Sequence, residues 1–194
     1  MLDFEQAREL TDEELVVLTL ENQENFLFLI NRYKIKLFNF IRRITNVADE
    51  DAEDILQDVF LKVYLNLNGF DHDLKFSSWV YSIARNQVIS SHRKLKARAE
   101  GYSQPLDDEI ARKLISDLDM KKNMDAEILK SSIQNVLDEL NEKYREVLVL
   151  KFLEEKSYQE ISDIIKKPIG TVGSLMNKAK GEFKKELLKQ EIKF

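Results

Sequence analysis

The sequence predicts an all-α protein, with two small helical domains joined by a flexible linker. Three observations predict it. Apolar residues recur at spacings of three and four along most of the chain, only 5 of the 194 residues are glycine and 2 are proline, and hydrophobic residues reach 43%, enough to form buried cores. We place the domains at residues 1–97 and 126–194 and the linker at 98–125, because the periodicity is lost in "ARAEGYSQPLDDE".

The N-terminal domain is predicted to contain four amphipathic helices. Their apolar residues recur at helical spacing over residues 11–20, 25–43, 51–68 and 78–97. Thr11, with Glu14 three positions on, forms a capping box that starts the first of them. Before the last helix, "FDHDLKFSS" is expected to be a loop, and Trp79 is expected to lie mainly in the core.

The C-terminal domain is predicted to end in two helices with a tight break between them. Earlier helices are expected near residues 125–141 and over "EKYREVLVLKFLEE", the latter with Phe152 on its apolar face. Ser157 and Glu160 form a second capping box, which starts a short helix. Pro168 ends that helix and suits the start of the next one, because proline disfavours helical geometry in the residue before it and needs no N–H donor at a helix start. This arrangement is typical of a helix-turn-helix, the C-terminal motif that we predict.

The last helix has an apolar side and a polar, basic side. At 100° per residue, the apolar side consists of Val172, Met176, Ala179 and Phe183. The opposite side carries small polar residues first and lysines further along, as a helix in the major groove of DNA needs near base edges and phosphates. An ordinary antiparallel helix pair with a solvated face fits the same pattern, so the geometry alone leaves both interpretations open.

The charge distribution suggests two modules that face anions. The net charge is −5, but residues 71–98 hold six bases and two acids, and residues 157–194 hold eight bases and five acids. The segment between them, at 99–130, is acidic. Two solvated helix faces would give the same distribution.

Several classes of protein are disfavoured. The chain has no cysteine, two histidines, and no nucleophile or phosphate-loop motif, which argues against an enzyme and against a bound cofactor. Asp71, His72 and Asp73 could suggest a metal site, but no fourth ligand lies near them in sequence. No apolar run approaches the roughly 20 residues of a membrane span, and the acidic start does not resemble a signal peptide. A cytoplasmic protein without membrane insertion is therefore expected.

Two segments resemble the extracytoplasmic-function (ECF) group of bacterial sigma factors, the minimal two-domain members of the RNA polymerase sigma superfamily. "DAEDILQDVFLKVYLNLNGFDHDLKFSSWVYSIARNQVISSHRK" is similar to their second conserved region, and "LDELNEKYREVLVLKFLEEKSYQEISDIIKKPIGTVGSLMNKAK" to their fourth. The resemblance implies a transcription initiation factor that binds core RNA polymerase and promoter DNA. Residues 1–97 would recognise and melt the −10 element, and residues 126–194 would bind the −35 element as duplex. An anti-sigma protein is a further implied partner.

The resemblance implies three sets of site residues. At the −10 element, Phe70 would stack on a base and Asn86 would read a base edge, while the backbone of the melted strand would meet Lys75, Ser77, Ser78, Arg85, Ser90, His92, Arg93 and Lys94. The −35 set is Lys166, Lys167, Thr171, Ser174, Asn177, Lys178 and Lys180. The polymerase-binding set is the acidic stripe of Asp51, Asp54 and Asp58, with Gln57 beside it. The residues leave alternatives open: Phe70 could be a core residue that closes a turn, and the stripe a solvated face.

The C-terminal match departs from the family at Gly173 and Leu175, where members usually carry basic residues. Fewer cations near the helix start predict weaker phosphate contact and a smaller salt dependence of binding. Two rival interpretations are a dimeric helix-turn-helix regulator that binds duplex DNA without polymerase, and a protein-binding helical adaptor. The regulator would need neither the acidic stripe nor the pair of Phe70 and Asn86, and the adaptor would have no affinity for DNA.

Overall fold

The computed structural model describes residues 2–99 and 132–189, and within these ranges the chain forms helices and turns without any strand. The N-terminal group of helices is α1 (Phe4–Glu9), α2 (Asp12–Glu21), α3 (Phe26–Thr45), α4 (Asp49–Leu65) and α5 (Phe76–Ala99). The C-terminal group is α6 (residues 132–138), α7 (Glu142–Leu148), α8 (Tyr158–Ile165) and α9 (Ile169–Lys189). The predicted fold class is confirmed, while most of the predicted linker, from residue 100 onward, lies outside the described residues.

Helices α3, α4 and α5 pack around a core of aromatic and aliphatic side chains, with α2 against them. The periodic apolar residues of α3 are buried as predicted; Leu37 and Phe40, for example, are inaccessible to solvent. The capping box that starts α2 is confirmed. The Glu14 N–H donates to the Thr11 hydroxyl at 3.2 Å, and the Thr11 N–H donates to the Glu14 carboxylate at 2.7 Å.

One helix and two helix boundaries differ clearly from the sequence-based expectation. Helix α5 begins at Phe76, two residues early, because the carboxylate of Glu13 on α2 accepts a hydrogen bond from the Phe76 N–H at 2.9 Å and caps it. Helix α1 is not predicted by the periodicity, and Asp3 starts it by accepting from the Gln6 N–H at 2.8 Å. Helix α4 ends early, at Leu65, and a short 3₁₀ turn follows it.

The helix predicted over "EKYREVLVLKFLEE" changes its winding half-way along. Helix α7 ends at Leu148, and the chain continues as a π-helical turn, Val149–Leu153. A π turn uses more residues per turn than an α-helix, so the side chains that follow it rotate out of the earlier register. Phe152 is consequently 56% exposed, and its expected place on the apolar face is wrong.

A buried arginine joins α6, α7 and α3. The Arg145 side chain is nearly enclosed, and its guanidinium donates to the carbonyls of Leu137 at 2.8 Å and Asp138 at 2.6 Å. Longer contacts of 3.4 Å reach the carbonyls of Leu140 and Ile44, the latter on α3. Carbonyls at a helix C-terminus have no donor within their own helix, and the several N–H groups of one guanidinium supply donors for them.

Replacing Arg145 by lysine should lower the free energy of unfolding by about 1–3 kcal/mol, because an ammonium group cannot reach all of these carbonyls and leaves buried acceptors unpaired. Urea denaturation followed by circular dichroism measures the change. Arg42→Lys is the matched control. Arg42 is 40% exposed in its pair with Asp49, so its replacement should lower the free energy of unfolding by less than about 1 kcal/mol. Equal losses in the two variants would contradict the capping role of Arg145.

Candidate functional site

The break between α8 and α9 has the geometry expected of a helix-turn-helix. Helix α8 follows Ser157, whose N–H donates to the Glu160 carboxylate at 2.9 Å. It ends at Ile165, and Lys166 after it adopts a left-handed conformation with φ of 54°. The carbonyl of Pro168 then accepts from the Thr171 N–H at 2.8 Å, at the start of α9. The second capping box is confirmed, and Pro168 lies directly before α9, as expected. The end of α8 differs from the expectation, because the left-handed Lys166 ends the helix before Pro168 is reached.

Helix α9 buries its apolar side and exposes its polar one. Val172, Met176 and Ala179 are inaccessible to solvent. All members of the expected −35 set are exposed: Lys166, Lys167, Thr171, Ser174, Asn177, Lys178 and Lys180. Thr171, Ser174, Asn177 and Lys178 share one side of α9 and form a polar strip that ends in a lysine. The Lys180 ammonium lies elsewhere, 5.6 Å from the centre of the Phe152 ring.

The two departures in α9 have different surroundings. Gly173 is half-buried, but a Cβ built there would meet no atom within 4 Å, so there is room for a side chain. Leu175 packs against the hydrophobic core, and a cation in its place would have to leave apolar contacts. At Gly173 there is therefore space for a basic side chain. At Leu175 the apolar side chain contributes to packing, which a cation would not do.

A cleft of about 480 Å³ opens between the end of α4 and the first half of α5. Its lining consists of Lys62, Leu65, Asn66, Gly69, Trp79, Ile83 and Asn86. Asn86 is exposed and Trp79 is half-buried. An aromatic surface, an amide and a nearby cation are the groups that hold an unstacked base. Asn86 and Trp79 thus lie in the same cleft, beside Lys62.

Phe70 does not line the cleft. It is 5% exposed, and its ring packs against those of His72, Phe76 and Trp79, with centroids 5.1, 5.4 and 5.3 Å away. The expected stacking role of Phe70 is therefore corrected: it is a core residue that closes the turn between α4 and α5. Trp79 provides the aromatic surface instead. Its position seven residues before Asn86, on the same face of α5, is the sequence signal that could have identified it.

The serines near the cleft also differ from the expectation. Ser78 is 1% exposed, so it cannot reach DNA from this position, and its hydroxyl has no hydrogen-bond partner. Ser77 and Ser90 are half-buried, and the Ser90 hydroxyl donates to the Asn86 carbonyl at 2.9 Å. Arg93 is exposed as expected. The side chains of His92 and Lys94 lie outside the described residues.

Two further residues of the −10 set, Arg85 and Lys75, contact acids of the C-terminal group. The Arg85 guanidinium donates to both carboxylate oxygens of Glu146, and the Lys75 ammonium lies 3.2 Å from the Glu160 carboxylate. Burial raises the pKa of Glu146, against the opposing charge of Arg85. At Glu160, burial also acts to raise the pKa, but hydrogen bonds from Ser157 and Lys75 outweigh it and lower the pKa to about 2.

A third acid–base contact between the groups is the most enclosed. The Glu154 carboxylate, 5% exposed, accepts from Arg43 at 2.9 Å and from the Tyr81 hydroxyl at 2.6 Å. Burial, together with the charge of Glu154, raises the pKa of Tyr81, so its hydroxyl stays a donor. The Lys156 ammonium lies 4.4 Å from the centre of the Tyr81 ring. We call the three contacts Arg85–Glu146, Lys75–Glu160 and Arg43–Glu154 the seam.

The acidic stripe on α4 is exposed along its whole length. Its members Asp51, Asp54, Gln57 and Asp58 all face solvent. Asp58 also accepts a hydrogen bond from Gln87 on α5 at 2.6 Å, so it contributes to helix packing. Gln57 borders an apolar groove of about 370 Å³ between α3 and α4, in which Ile35 is 65% exposed beside Leu56.

The part of the chain that the structure describes contains neither a metal-binding cluster nor a membrane-spanning helix. No group of three or more histidine, aspartate or glutamate side chains there could hold a metal ion, and this includes Asp71, His72 and Asp73. No helix in the same ranges is long and apolar enough to cross a membrane.

Comparison with known proteins decides the family. Residues 29–98 match the model of Sigma-70 region 2, and residues 130–182 match that of Sigma-70 region 4. The chain is 33% identical over 179 residues to the ECF RNA polymerase sigma factor SigW of Bacillus subtilis, covering 86% of this chain and 90% of SigW. The chain belongs to the ECF sigma factor family. It is also 28% identical to the sigma-E factor of Escherichia coli, covering 90% of this chain and 93% of that protein.

Solved structures share the fold of this sigma factor. CnrH, solved with the cytosolic domain of CnrY, superposes with a TM-score of 0.68 at 20% identity, over 93% of this chain and 99% of CnrH. RpoE of Bartonella quintana, solved with the anti-sigma factor NepR, superposes with a TM-score of 0.64 at 19% identity, over 84% and 97% of the chains. The resemblance seen in the sequence is confirmed: the sigma factor directs RNA polymerase to promoters.

Phe70→Ala should lower the free energy of unfolding by about 3–5 kcal/mol, because it removes a buried ring from an aromatic cluster. Trp79→Ala should cost less, since the indole is half-buried at the cleft. Urea unfolding of the two variants measures both effects. A larger loss in Trp79→Ala than in Phe70→Ala would contradict the assignment of Phe70 as the core residue that closes the turn.

Proposed function

We propose that the sigma factor divides promoter recognition between its two groups of helices. Residues 1–97 bind core polymerase and the −10 element, residues 98–125 connect the groups, and residues 126–194 bind the −35 element. The observation that carries the proposal is the cleft of Trp79 and Asn86, because melted DNA needs a place for an unstacked base.

At the −10 element, Asn86 reads the edge of a base in the cleft and Trp79 stacks on its face. Lys62 at the cleft and Arg93 further along α5 attract the backbone of the separated strand. Phe70 supports the Trp79 ring from the core side. The buried Ser78 takes no part.

At the −35 element, the start of α9 enters the major groove. Thr171, Ser174 and Asn177 are short enough to approach base edges, and Lys178 reaches phosphates further along the helix. Lys166, Lys167 and Lys180 add exposed positive charge on either side. With Gly173 in place of a cation, we expect duplex binding to be weaker and less salt-dependent than in relatives with a basic residue there.

Core polymerase binds to the acidic stripe and to the apolar groove beside it. The carboxylates of Asp51 and Asp54 orient a basic partner, while the exposed Ile35 adds apolar area that binding removes from water. A sigma factor is held by an anti-sigma factor in the RpoE–NepR structure, and we infer that a comparable protein controls this one. The sigma factor acts in the cytoplasm and catalyses no reaction itself.

Reconstitution tests the proposed function. The purified protein is mixed with core RNA polymerase, and run-off transcripts are sequenced from a library of genomic promoter fragments. We expect initiation at a distinct subset of promoters that share −10 and −35 sequences. A complex that never initiates, or transcription without sequence preference, would overturn the proposal. Duplex binding without any complex with core polymerase would favour the dimeric regulator instead.

Reversing the charge of the stripe with Asp51→Lys and Asp54→Lys should weaken binding to core polymerase about tenfold or more, because like charges would face a basic partner. Asp58 is left intact because it accepts the hydrogen bond from Gln87. The matched control is Glu21→Lys with Glu24→Lys, two exposed acids on another part of the N-terminal group. Fluorescence anisotropy with labelled protein measures the affinity, and equal losses in both pairs would show that the stripe is only solvated.

Asn86→Ala should change the base preference at one −10 position about tenfold, the order expected for loss of one specific amide–base contact. Transcription from templates carrying each base at each −10 position measures this preference. Binding to core polymerase should stay unchanged, as it should in the control Asn68→Ala, an exposed asparagine outside the cleft lining. An unaltered preference would remove Asn86 from the reading role.

A further inference from the structure

A buried amide joins α4 to α5 beside the cleft. Gln87 on α5 is 3% exposed, and both ends of its side-chain amide are hydrogen-bonded. The amide nitrogen donates to the Asp58 carboxylate at 2.6 Å, and the amide oxygen accepts from the Lys62 ammonium. Only this orientation of the amide satisfies both partners, because an ammonium group only donates and an ionised carboxylate only accepts. Two residues of α4 therefore fix the Gln87 side chain.

The spacing of Asp58 and Lys62 on α4 would otherwise favour a direct ion pair. They are four positions apart with the acid nearer the N-terminus, which is the favourable spacing and order for opposite charges on a helix. Among the residues that the structure describes, Lys62 nevertheless forms no ion pair. Gln87 bonds to both groups instead, so a neutral amide holds the ammonium group apart from the carboxylate.

Lys62 thereby keeps its full positive charge at the cleft. It is exposed and belongs to the lining of the cleft. An ammonium group has three N–H donors, and Gln87 takes up one of them, so two remain for a ligand. Lys75 and Arg85, by contrast, are held by carboxylates of the seam. A lysine with a neutral partner can bind a phosphate without first breaking an ion pair.

The contact with Gln87 also orders the Lys62 side chain before any ligand binds. A lysine loses much of its rotamer freedom when it is immobilised, and this loss opposes binding. Because Gln87 already restrains the ammonium group, less freedom is lost when an anion enters the cleft. The restraint is a firm one, since the buried amide can move away only by breaking two hydrogen bonds where little water can replace them.

We propose that Gln87 is a positioning residue for the melted strand, and that it holds the Lys62 ammonium at the cleft for a backbone phosphate beside the unstacked base. The inference deepens the proposed function and rests on it, because it takes the cleft as the site of that base. Gln87 is buried and acts through Lys62 alone. Without the amide, Lys62 pairs with Asp58 along α4 and its charge is no longer available to the strand.

Replacing the amide by an apolar group tests the proposal. Gln87→Met keeps an unbranched side chain of similar length, and Gln87→Leu is a second variant, so that a packing fault peculiar to methionine cannot explain the result. Gln134→Met is the matched control. Gln134 on α6 is half-buried, and its amide also donates to an aspartate, Asp138, at 2.9 Å, but it lies outside the cleft lining. Circular dichroism and urea denaturation establish that each variant is folded.

The probe is a fluorescein-labelled single strand of about 16 nucleotides, which carries the −10 sequence of a promoter selected in the run-off experiment. Holoenzyme assembled with core polymerase is titrated into it at several KCl concentrations. Both Gln87 variants should bind about fivefold more weakly than the native sequence. The slope of log affinity against log salt should become shallower by about 0.7, the value for one phosphate contact on a single strand. Gln134→Met should match the native sequence in both quantities, and native affinity in the Gln87 variants would overturn the proposal.

Lys62→Gln decides whether Gln87 acts through the lysine. This variant should itself bind the strand more weakly, with the slope again shallower by about 0.7. Gln87→Met added to Lys62→Gln should cause no further loss, because the residue at 87 then has no ammonium group to position. A second loss of similar size in the double variant would overturn the proposal, since Gln87 would then act by packing alone.

The ammonium group can also be observed in the free protein. In a sample labelled with nitrogen-15 at lysine, the Lys62 Nζ signal is assigned by its absence from Lys62→Gln. Its protons should exchange with water more slowly in the native sequence than in Gln87→Met, because the hydrogen bond to the buried amide retards exchange. Equal exchange rates would overturn the proposal. Failure of the native holoenzyme to bind the strand would instead overturn the proposed function, and this is seen before any variant is compared.

Discussion

The C-terminal helices are held in place by one buried positive charge. A guanidinium inside a protein must have acceptors around it, and the end of α6 has carbonyls without donors. Arg145 on α7 satisfies both requirements and also reaches α3, so the same side chain orders α6 against α7 and both against the N-terminal group. Helix α9 packs on α7, and its exposed strip is therefore oriented by a buried residue outside the strip.

A second constraint comes from the π turn. Its extra residue per turn exposes Phe152, and the chain that follows it brings Glu154 to Arg43 and Tyr81. The enclosed Glu154 carboxylate is held by both donors, and leaving it buried without them would cost free energy. A local change of helix winding thereby determines how the two groups of helices meet.

The cleft between α4 and α5 shows that packing decides which aromatic residue is accessible. Phe70, Phe76 and Trp79 form one cluster, and only one of these rings borders the cleft. In the sequence, Phe70 and Trp79 are both large and apolar. The stacking role was assigned by motif position to Phe70, which the structure shows to be the buried one. Early capping of α5 by Glu13 starts the helix that carries both Trp79 and Asn86.

The sequence by itself determined most of the helices, both capping boxes at Thr11 and Ser157, the break before α9 and the polar strip of α9. These depend on periodicity and on hydrogen bonds between residues a few positions apart. Two motifs in order also determined the family. Only the tertiary structure decided which aromatic ring lines the cleft, that Ser78 is buried, and that Lys75 and Arg85 bind acids more than 60 positions away in the chain. Contacts between residues so distant in sequence leave no periodic signal, because they arise only when whole helices pack together.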